Sequence, residues 1–252
     1  MDSKVRLHIA GPLAAGQQAP LSRAQAHYLA GVMRLGPGDA LTVFDGASGA
    51  WRARIVEAGK RGGAVTLEAQ VAPQRDPPDL WLLFAPIKKA RTDFIVEKAC
   101  ELGAARILPV ATRRTNAERV RRDRLQAHAV EAAEQCGGTF VPEVAEVAPL
   151  DRVLDAWPED RALVFCDEGL SGDPAWRAGP EAPADGAGAA DLPPAPAAIL
   201  VGPEGGFAPE ERDRLRAMAR THPISLGPRI LRADTAAVAA LTLWQAARGD
   251  WR

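Results

Sequence analysis

The stretch Ile199-Leu-Val-Gly-Pro-Glu-Gly-Gly-Phe207 runs from an unbroken apolar segment into a glycine-rich loop. Strands that are apolar at every position are typical of parallel sheets covered by helices on both faces. In such sheets, ligands bind where loops leave the carboxyl ends of the strands, and glycines allow the backbone to approach the ligand. The stretch therefore predicts an α/β fold with a ligand site at Gly202–Gly206.

A second junction of this kind is Ile224-Ser-Leu-Gly-Pro-Arg-Ile-Leu-Arg-Ala-Asp-Thr-Ala236. We expect a short strand, an extended segment and a last helix capped by Asp234 or Thr235. Arg229 and Arg232 precede that helix, whose first N–H groups favour anions. The two arginines predict a positive focus beside the glycine loop, and the alternative is that they pair with surface acids.

The surrounding sequence alternates between apolar strands and helices. Strands are predicted at Leu80–Pro86, Arg106–Val110, Ala162–Cys166 and Ala197–Val201. Helices are predicted at Thr92–Leu102, Glu118–Cys136, Glu210–Arg220 and Thr235–Ala247. This alternation predicts a mostly parallel sheet covered by helices. Residues 169–196 are rich in Ala, Gly and Pro and predict a mobile loop, either an active-site lid or an indifferent insertion.

The first 72 residues instead predict a small β-barrel. Apolar and polar residues alternate in Ala40–Phe44, Ala50–Val56 and Ala64–Val71, with turn signals between these runs. Helical spacing between Leu21 and Met33 follows Ser22, a plausible N-cap. The proline-rich segment 73–78 is the predicted linker, and residues 79–252 form the predicted second domain.

Charge is distributed unevenly although the net charge is −1. Residues 86–125 contain eleven Lys or Arg against five Asp or Glu, an excess of six positive charges. Residues 167–196 contain one Arg against six acids. A ligand responds to the local field, so the basic middle segment indicates either a nucleic-acid contact or a solvated mixed face.

Composition limits the classes of protein to which this chain can belong. The apolar runs are far shorter than the ~20 residues that span a bilayer, and the charged amino terminus has no signal-peptide pattern. Three widely spaced cysteines form neither a disulfide framework nor a metal clip, and the four histidines show no ligand spacing. We expect a cytoplasmic protein without a metal site, with all three thiols inert and partly buried.

A family resemblance covers nearly the whole chain. The Gly202–Gly206 loop, joined to Leu226-Gly-Pro-Arg-Ile-Leu-Arg232 and Thr235-Ala236, resembles the cofactor-binding signature of SPOUT methyltransferases. More narrowly, the chain resembles the RsmE family of ribosomal RNA methyltransferases. His27–Leu35 resembles part of that family's amino-terminal PUA-like barrel, and Lys98–Gly103 and Glu131–Gly137 resemble its central helices.

The resemblance implies a trefoil knot in the carboxyl-terminal domain, a homodimer, and S-adenosylmethionine (SAM) as cofactor. The implied reaction is methylation of N3 of a uridine in 16S ribosomal RNA, within the small ribosomal subunit or an assembly intermediate. The cofactor-binding positions carried over are Val201, Gly202, Glu204, Gly206, Leu226, Gly227, Ile230, Leu231 and Ala236.

Candidate catalytic residues follow from the chemistry of that reaction. Arg232 is predicted to stabilise the charge that spreads onto the uracil carbonyl oxygens, with Glu204 and Asp234 as candidate proton acceptors. For Glu204 the alternative is a structural role in the loop. Predicted RNA contacts are the basic side chains of Arg34, Lys88, Lys89, Arg91, Arg113 and Arg114.

The sequence departs from the family pattern at two points. Gly138 stands where the family usually has arginine, and Arg232-Ala-Asp-Thr235 stands where Arg-Thr-Glu-Thr is usual. The alternatives are a knotted methyltransferase that acts on another rRNA or tRNA nucleoside and a non-catalytic RNA-binding protein of the same fold. A dinucleotide oxidoreductase is disfavoured because the glycine loop has neither G-x-G-x-x-G spacing nor the acidic ribose partner.

Overall fold

The computed structural model of the 252-residue chain describes residues 5–116, 120–171 and 192–251. Two compact units are present. The first comprises Met1–Asp76 and Val130–Val141, and the second comprises Pro77–Ala129 and Pro142–Arg252. The division after Asp76 lies within the predicted linker 73–78, whereas the return of residues 130–141 to the first unit had no signal in the sequence.

The first unit contains a five-stranded sheet in its described residues. Its strands are β1 (Arg6–His8), β2 (Gln18–Leu21), β3 (Ala40–Phe44), β4 (Ala50–Gly59) and β5 (Gly62–Ala72). Their order is β1-β3-β4-β5-β2, and every pair is antiparallel except β1 with β3. The three predicted strands are therefore confirmed, while β1 and β2 were missed because each is too short to show a period.

A short helix after β2 packs against strands β4 and β5 of this sheet. Helix α1 (Arg23–His27) begins after Ser22. The Ser22 hydroxyl accepts from the Gln25 N–H, and the Gln25 side-chain oxygen accepts from the Ser22 N–H. A π-helical turn, Tyr28–Val32, continues it. Leu29 and Ala26 are fully buried in a core with the inward residues of the strands. The predicted helix and its Ser22 cap are confirmed.

The second unit contains a parallel sheet in its described residues. Its strands are β6 (Leu80–Phe84), β7 (Arg106–Ala111), β8 (Glu143–Val144), β9 (Ala148–Pro149), β10 (Ala162–Cys166), β11 (Ala197–Val201) and β12 (Thr221–Ile224). The order is β12-β10-β11-β6-β7-β8, with β9 also paired to β7. All these pairs are parallel. The residues of β10 and β11 are buried along their whole length, as the unbroken apolar runs predicted.

The helices that accompany this sheet are α2 (Lys89–Glu101), α3 (Arg122–Cys136), α4 (Leu150–Asp155), a 3₁₀ turn (Glu168–Leu170), α5 (Pro209–Ala217) and α6 (Ala233–Arg248). Together they confirm the predicted α/β class with a mostly parallel sheet, preceded by the separate β-rich unit.

Four predicted helix boundaries are wrong. Helix α2 begins at Lys89 rather than at Thr92. Helix α5 ends at Ala217 because the chain extends again as β12. The N-cap of α6 is Arg232, without a side-chain cap, so neither Asp234 nor Thr235 caps it. Helix α3 begins at Arg122 rather than Glu118, and residue 118 lies outside the described part of the chain.

The predicted mobile loop 169–196 falls mostly outside the described residues, which omit 172–191. Its two ends, 169–171 and 192–196, are described, and the mobility of the segment stays a prediction. Gly169 belongs to the 3₁₀ turn. At the other end, the Pro193 carbonyl accepts from Trp244 Nε1 at 3.0 Å and the Leu192 carbonyl accepts from Arg248 Nε at 2.6 Å. Both contacts join this end to helix α6.

In the described part of the chain, no helix is long and apolar enough to cross a membrane. The cysteines differ from one another: Cys100 and Cys166 are buried, while Cys136 is exposed. The prediction of three partly buried thiols is therefore wrong for Cys136.

Candidate active site

A cleft lies at the carboxyl ends of three neighbouring strands in the second unit. The register pairs Cys166, the last residue of β10, with Ile224, the last residue of β12. Val201 ends β11 beside them and also lines the cleft. The cleft contains about 540 Å³ of empty space, part of it open to solvent. Parallel pairing has thus gathered three strand ends at one edge of the sheet.

The glycine loop Gly202–Phe207 forms one wall of this cleft. Gly206 has φ 67° and its N–H donates to the Pro203 carbonyl at 2.9 Å. A Cβ added at Gly202 would lie 2.6 Å from Cε2 of Phe207, which itself is buried against Phe165. Glycine is therefore required at both positions, for backbone conformation at Gly206 and for space at Gly202.

Side chains from other elements hold this loop. Arg114 Nη1 donates to the Gly205 carbonyl at 2.8 Å. Glu168 Oε1 accepts from the Phe207 N–H at 3.2 Å. Glu211 accepts from the Ala208 N–H at 2.9 Å at the start of helix α5. These contacts restrict the loop before any ligand arrives.

The second wall is formed by residues of the segment Ser225–Arg232. Ser225 Oγ contacts the N–H and the carbonyl of Gly227 at 3.3 and 3.2 Å. Gly227 has φ 112°, and a Cβ added there would meet nothing within 4 Å. Ile230 lines the cleft with 75% of its surface exposed. This segment is consequently far more open than the glycine loop.

The cleft gathers most of the predicted cofactor-binding residues. Those that line it are Val201, Gly202, Glu204, Gly206, Leu226, Ile230, Leu231 and Ala236. Gly227 is in the same segment but is not a lining residue. The binding roles stay predictions, but residues from two separate motifs do meet at one edge of the sheet.

Sequence reasoning missed the contribution of β10 to the cleft. The lining residues it did not propose for cofactor binding are Cys166, Asp167, Glu168, Ser171, Pro203, Ile224, Arg229 and Ala233. A signal was available, because Ala162–Cys166 was a predicted parallel strand and the residues after such a strand lie at the ligand-binding edge.

Two of the candidate catalytic residues, Arg232 and Asp234, do not line the cleft. Arg232 is exposed at the N-cap of α6. Asp234 accepts from Arg91 Nη1 at 3.2 Å, with 18% of its side chain exposed. Glu204 is exposed and lines the cleft, and no hydrogen bond joins its side chain to a described residue. The two proposed carboxylates thus differ in their surroundings.

The predicted RNA-contact residues fall into separate groups. Lys88 and Lys89 line a groove at the start of helix α2, together with Arg121 and Arg124. Arg91 is held by Asp234, and Arg114 by the glycine loop. The Arg113 N–H donates to Glu211 at 2.8 Å. Arg34 lies in the first unit with φ 56°. The predicted RNA roles stay untested.

The thiol that lines the cleft is not activated for reaction. Burial raises the pKa of the Cys166 thiol to about 12, with the charge of Glu168 adding to the shift. Within residues 5–116, 120–171 and 192–251, no group of three or more His, Cys, Asp or Glu is arranged to hold a metal ion. What the cleft offers is backbone groups, apolar side chains and carboxylates.

Fold and site together define an α/β protein with a small-molecule cleft at the carboxyl edge of a parallel sheet. Residues 74–245 match the model of the RNA methyltransferase domain, and residues 21–68 match that of the RNA methyltransferase PUA domain. Ribosomal RNA small subunit methyltransferase E of Rickettsia conorii is 30% identical over 248 residues, which cover 94% of this chain and 93% of that protein.

A second relative of the same name, from Synechocystis sp., is 34% identical and covers 88% of this chain and 70% of that protein. The crystal structure of ribosomal RNA small subunit methyltransferase E from Neisseria gonorrhoeae bound to S-adenosyl methionine superposes with a TM-score of 0.80. It is 26% identical and covers 98% of this chain and 99% of that one. The chain belongs to the RNA methyltransferase family of the small-subunit ribosomal RNA methyltransferase E type, with a PUA domain at its amino terminus.

Proposed function

We propose that this protein transfers a methyl group from SAM to N3 of a uridine in 16S ribosomal RNA. The observation that carries the proposal is the cleft, in which Gly202 and Gly206 meet Leu226, Ile230 and Leu231 from a separate motif. The Neisseria gonorrhoeae relative, which has the same fold, is bound to S-adenosyl methionine.

The residues present fit SAM. Gly202 and Gly206 present their backbone to the cleft, and neither can carry a side chain, because a Cβ there would collide with Phe207 or Glu168. Val201, Leu226 and Leu231 provide apolar surface for the adenine ring. We assign the loop backbone and these side chains to cofactor binding, with Glu204 and Ala236 at the margin of the site.

When bound, SAM supplies an electrophilic methyl group on a sulfonium. The protein's task is to align the uracil N3 with that methyl carbon and to exclude water. As the N3–C bond forms and the C–S bond breaks, the N3 proton must pass to a base. Arg232 would stabilise the negative charge on the flanking carbonyl oxygens, since its exposed side chain belongs to the segment that forms the second wall of the cleft.

We assign the proton to Glu204 rather than to Asp234. Asp234 is paired with Arg91 at 3.2 Å and does not line the cleft, so its carboxylate is already engaged away from the ligand site. Glu204 lines the cleft on the ligand side of the glycine loop. Asp234 would then hold Arg91 at the beginning of helix α2 rather than take a proton.

The RNA would be bound largely through its phosphates. Lys88, Lys89 and Arg113 are exposed and carry the positive charge of the basic segment, and Arg34 adds a cation in the first unit. The target uridine must be unpaired or swung out of its stack to reach the cleft.

We further propose a cytoplasmic homodimer with a knotted carboxyl-terminal domain, in which the exposed Ile230 is covered by the second subunit or by the substrate.

The decisive test is methyl transfer from labelled SAM to small ribosomal subunits isolated from a strain that lacks this gene, followed by nucleoside analysis. We expect one new 3-methyluridine. The matched control is the variant Gly202→Ala, whose side chain would intrude on Phe207 and should reduce transfer when SAM is limiting. Naked 16S RNA and assembly intermediates, assayed in parallel, identify the physiological form of the substrate.

Other results would redirect the proposal. A different methylated nucleoside would keep the methyltransferase and overturn the N3-uridine assignment. Absence of transfer, together with absence of SAM binding by calorimetry, would leave a non-catalytic RNA-binding protein.

A further inference from the structure

Glu168 places its carboxylate directly against the glycine loop. It is the second residue after the end of β10 and lines the cleft. Its Oε1 accepts from the Phe207 N–H at 3.2 Å. A Cβ added to Gly206 would lie only 2.2 Å from the same oxygen. The backbone at Gly206 is therefore packed against this carboxylate.

The carboxylate of Glu168 is held in place from helix α5. Arg212 Nη2 donates to Glu168 Oε1 at 2.6 Å, and Arg212 Nε lies 3.2 Å from Asp167 Oδ1. The Asp167 side chain is completely buried and also accepts from Arg216. Two carboxylates and two guanidinium groups thus form one network at the end of β10.

This network has a geometric consequence for the loop. Gly206 occupies the left-handed region with φ 67°, and its own N–H is satisfied by Pro203. The next N–H along the chain, that of Phe207, is satisfied by Glu168. Removal of the carboxylate would leave the Phe207 N–H without that acceptor, and the loop would lose the contact that fixes its exit into helix α5.

We propose that Glu168 is a positioning residue that sets the conformation of Gly202–Phe207 and thereby the affinity for SAM, without entering the methyl transfer. The inference rests on the proposed function, because it assigns the loop to SAM. Arg212 and Asp167 act behind Glu168 by fixing the direction of its carboxylate.

Steady-state kinetics distinguish a positioning role of Glu168 from a catalytic role, because the first acts on KM and the second on kcat. Glu168→Ala should raise the KM for SAM on the order of tenfold, as expected for the loss of one charge-assisted hydrogen bond. The kcat should change by less than about threefold, because the group does not touch the reacting atoms. Glu168→Gln should lie between wild type and Glu168→Ala, since an amide oxygen still accepts from Phe207 but pairs only weakly with Arg212.

A second pair of variants tests the contact itself. Gly206→Ala creates a methyl group that collides with Glu168, in addition to the strain of a left-handed alanine. In the Glu168→Ala background the collision is absent and only the strain remains. The double variant should therefore lose less SAM affinity than the product of the two single losses. Independent, multiplicative losses would overturn the proposal.

Arg214→Ala is the matched control. It lies on the same helix α5 but pairs with Asp151 and Asp155 at 2.8 and 2.6 Å on the surface, away from the glycine loop. Its SAM affinity should equal that of wild type. Thermal unfolding of each variant identifies loss of fold, and Glu168→Gln provides the measurement should Glu168→Ala fail to fold.

The measurements distinguish a failure of this inference from a failure of the proposed function. Wild-type protein that binds no SAM in calorimetry would remove the proposed function and the inference together. Wild-type binding that is unchanged in Glu168→Ala and Glu168→Gln would overturn the inference alone. A fall in kcat with an unchanged KM would make Glu168 a catalytic residue and contradict a positioning role.

Discussion

Two glycine-containing loops line the same cleft, and the protein holds them very differently. In Gly202–Phe207, side chains from two other elements, Arg114 and Glu168, bind the backbone, and Phe207 is buried. In Ser225–Arg232, Gly227 faces open space and Ile230 is 75% exposed. The first loop is restrained on both sides, while the second has few restraints from the described residues.

The difference indicates that the two loops have different roles. A restrained loop has already lost much of its conformational entropy, so the entropic cost of ordering it when a ligand binds is smaller. An open loop can adapt to the ligand, the substrate or a second subunit. We therefore expect changes in the packing of the first loop to act mainly on SAM affinity, and loss of Arg232 in the second loop to act on turnover.

The largest effect is expected where the support of the first loop is removed. Asp167→Ala would leave Arg212 and Arg216 without their completely buried partner. The free energy of unfolding should fall by about 3 kcal/mol, the cost of breaking a buried ion pair. Urea denaturation measures this loss. Asp151→Ala, which breaks an exposed pair with Arg214, should cost less than about 1 kcal/mol, and equal losses would show that the network is not structural.

The next effect concerns turnover at the second loop. Arg232→Ala should reduce kcat on the order of 100-fold, as expected when one donor to a developing oxyanion is lost. RNA affinity and the unfolding temperature should change little, because Arg232 is exposed and makes no side-chain cap. Single-turnover kinetics with saturating RNA test this prediction. Turnover equal to that of wild type would remove Arg232 from the mechanism.

Replacement of one glycine by alanine in each loop should give a smaller effect. Gly202→Ala places a methyl group 2.6 Å from Phe207, so the loop must move and SAM affinity should fall by about tenfold or more. Gly227→Ala meets no atom within 4 Å, and its strain at φ 112° can relax because the segment is open. We expect a fall of about two- to threefold there. Calorimetric titration with SAM would contradict the comparison if the order were reversed.

A still smaller effect is expected on RNA binding. Lys88→Ala combined with Lys89→Ala should reduce the salt slope of RNA affinity by about two, one for each lost phosphate contact. SAM affinity should not change. Lys98→Ala is the control, because Lys98 pairs with Glu101 at 2.6 Å outside that groove. An unchanged slope in the double variant would place the RNA on another face.

The smallest effect is expected for the thiol within the cleft. Because burial raises the pKa of Cys166 to about 12, it stays protonated, and iodoacetamide at pH 8 should leave it unmodified. The exposed Cys136 should react under the same conditions. Mass spectrometry of the peptides distinguishes the two. Rapid alkylation of Cys166 would mean that the strand ends around the cleft open readily.

The strands and most helices could be predicted because their signals are local. Ala197–Val201 is apolar at every position, and Ser22 caps α1 as its sequence position indicated. Short strands were missed: β8 has two residues, too few to show any period. Helix α5 was predicted too long, because the short strand expected to end at Leu226 lies earlier, at Thr221–Ile224.

For the candidate site, the sequence identified both loops and eight of the residues that meet in the cleft. It did not single out Glu168, although this acid follows a predicted parallel strand, because only the fold shows that its carboxylate meets the Phe207 N–H. Nor did it find that Arg91 and Asp234, which are 143 residues apart, form an ion pair. Both had been given separate roles, in RNA binding and proton transfer.

The sequence by itself determined the α/β class, the β-rich first unit and the positions of the two loops, because apolar periodicity and glycine content act within a few residues. Only the tertiary structure decided which groups meet. The sheet order β12-β10-β11-β6 brings together strand ends that lie far apart in the chain. Contacts such as Glu168 with Phe207 depend on that order, and no local pattern encodes them.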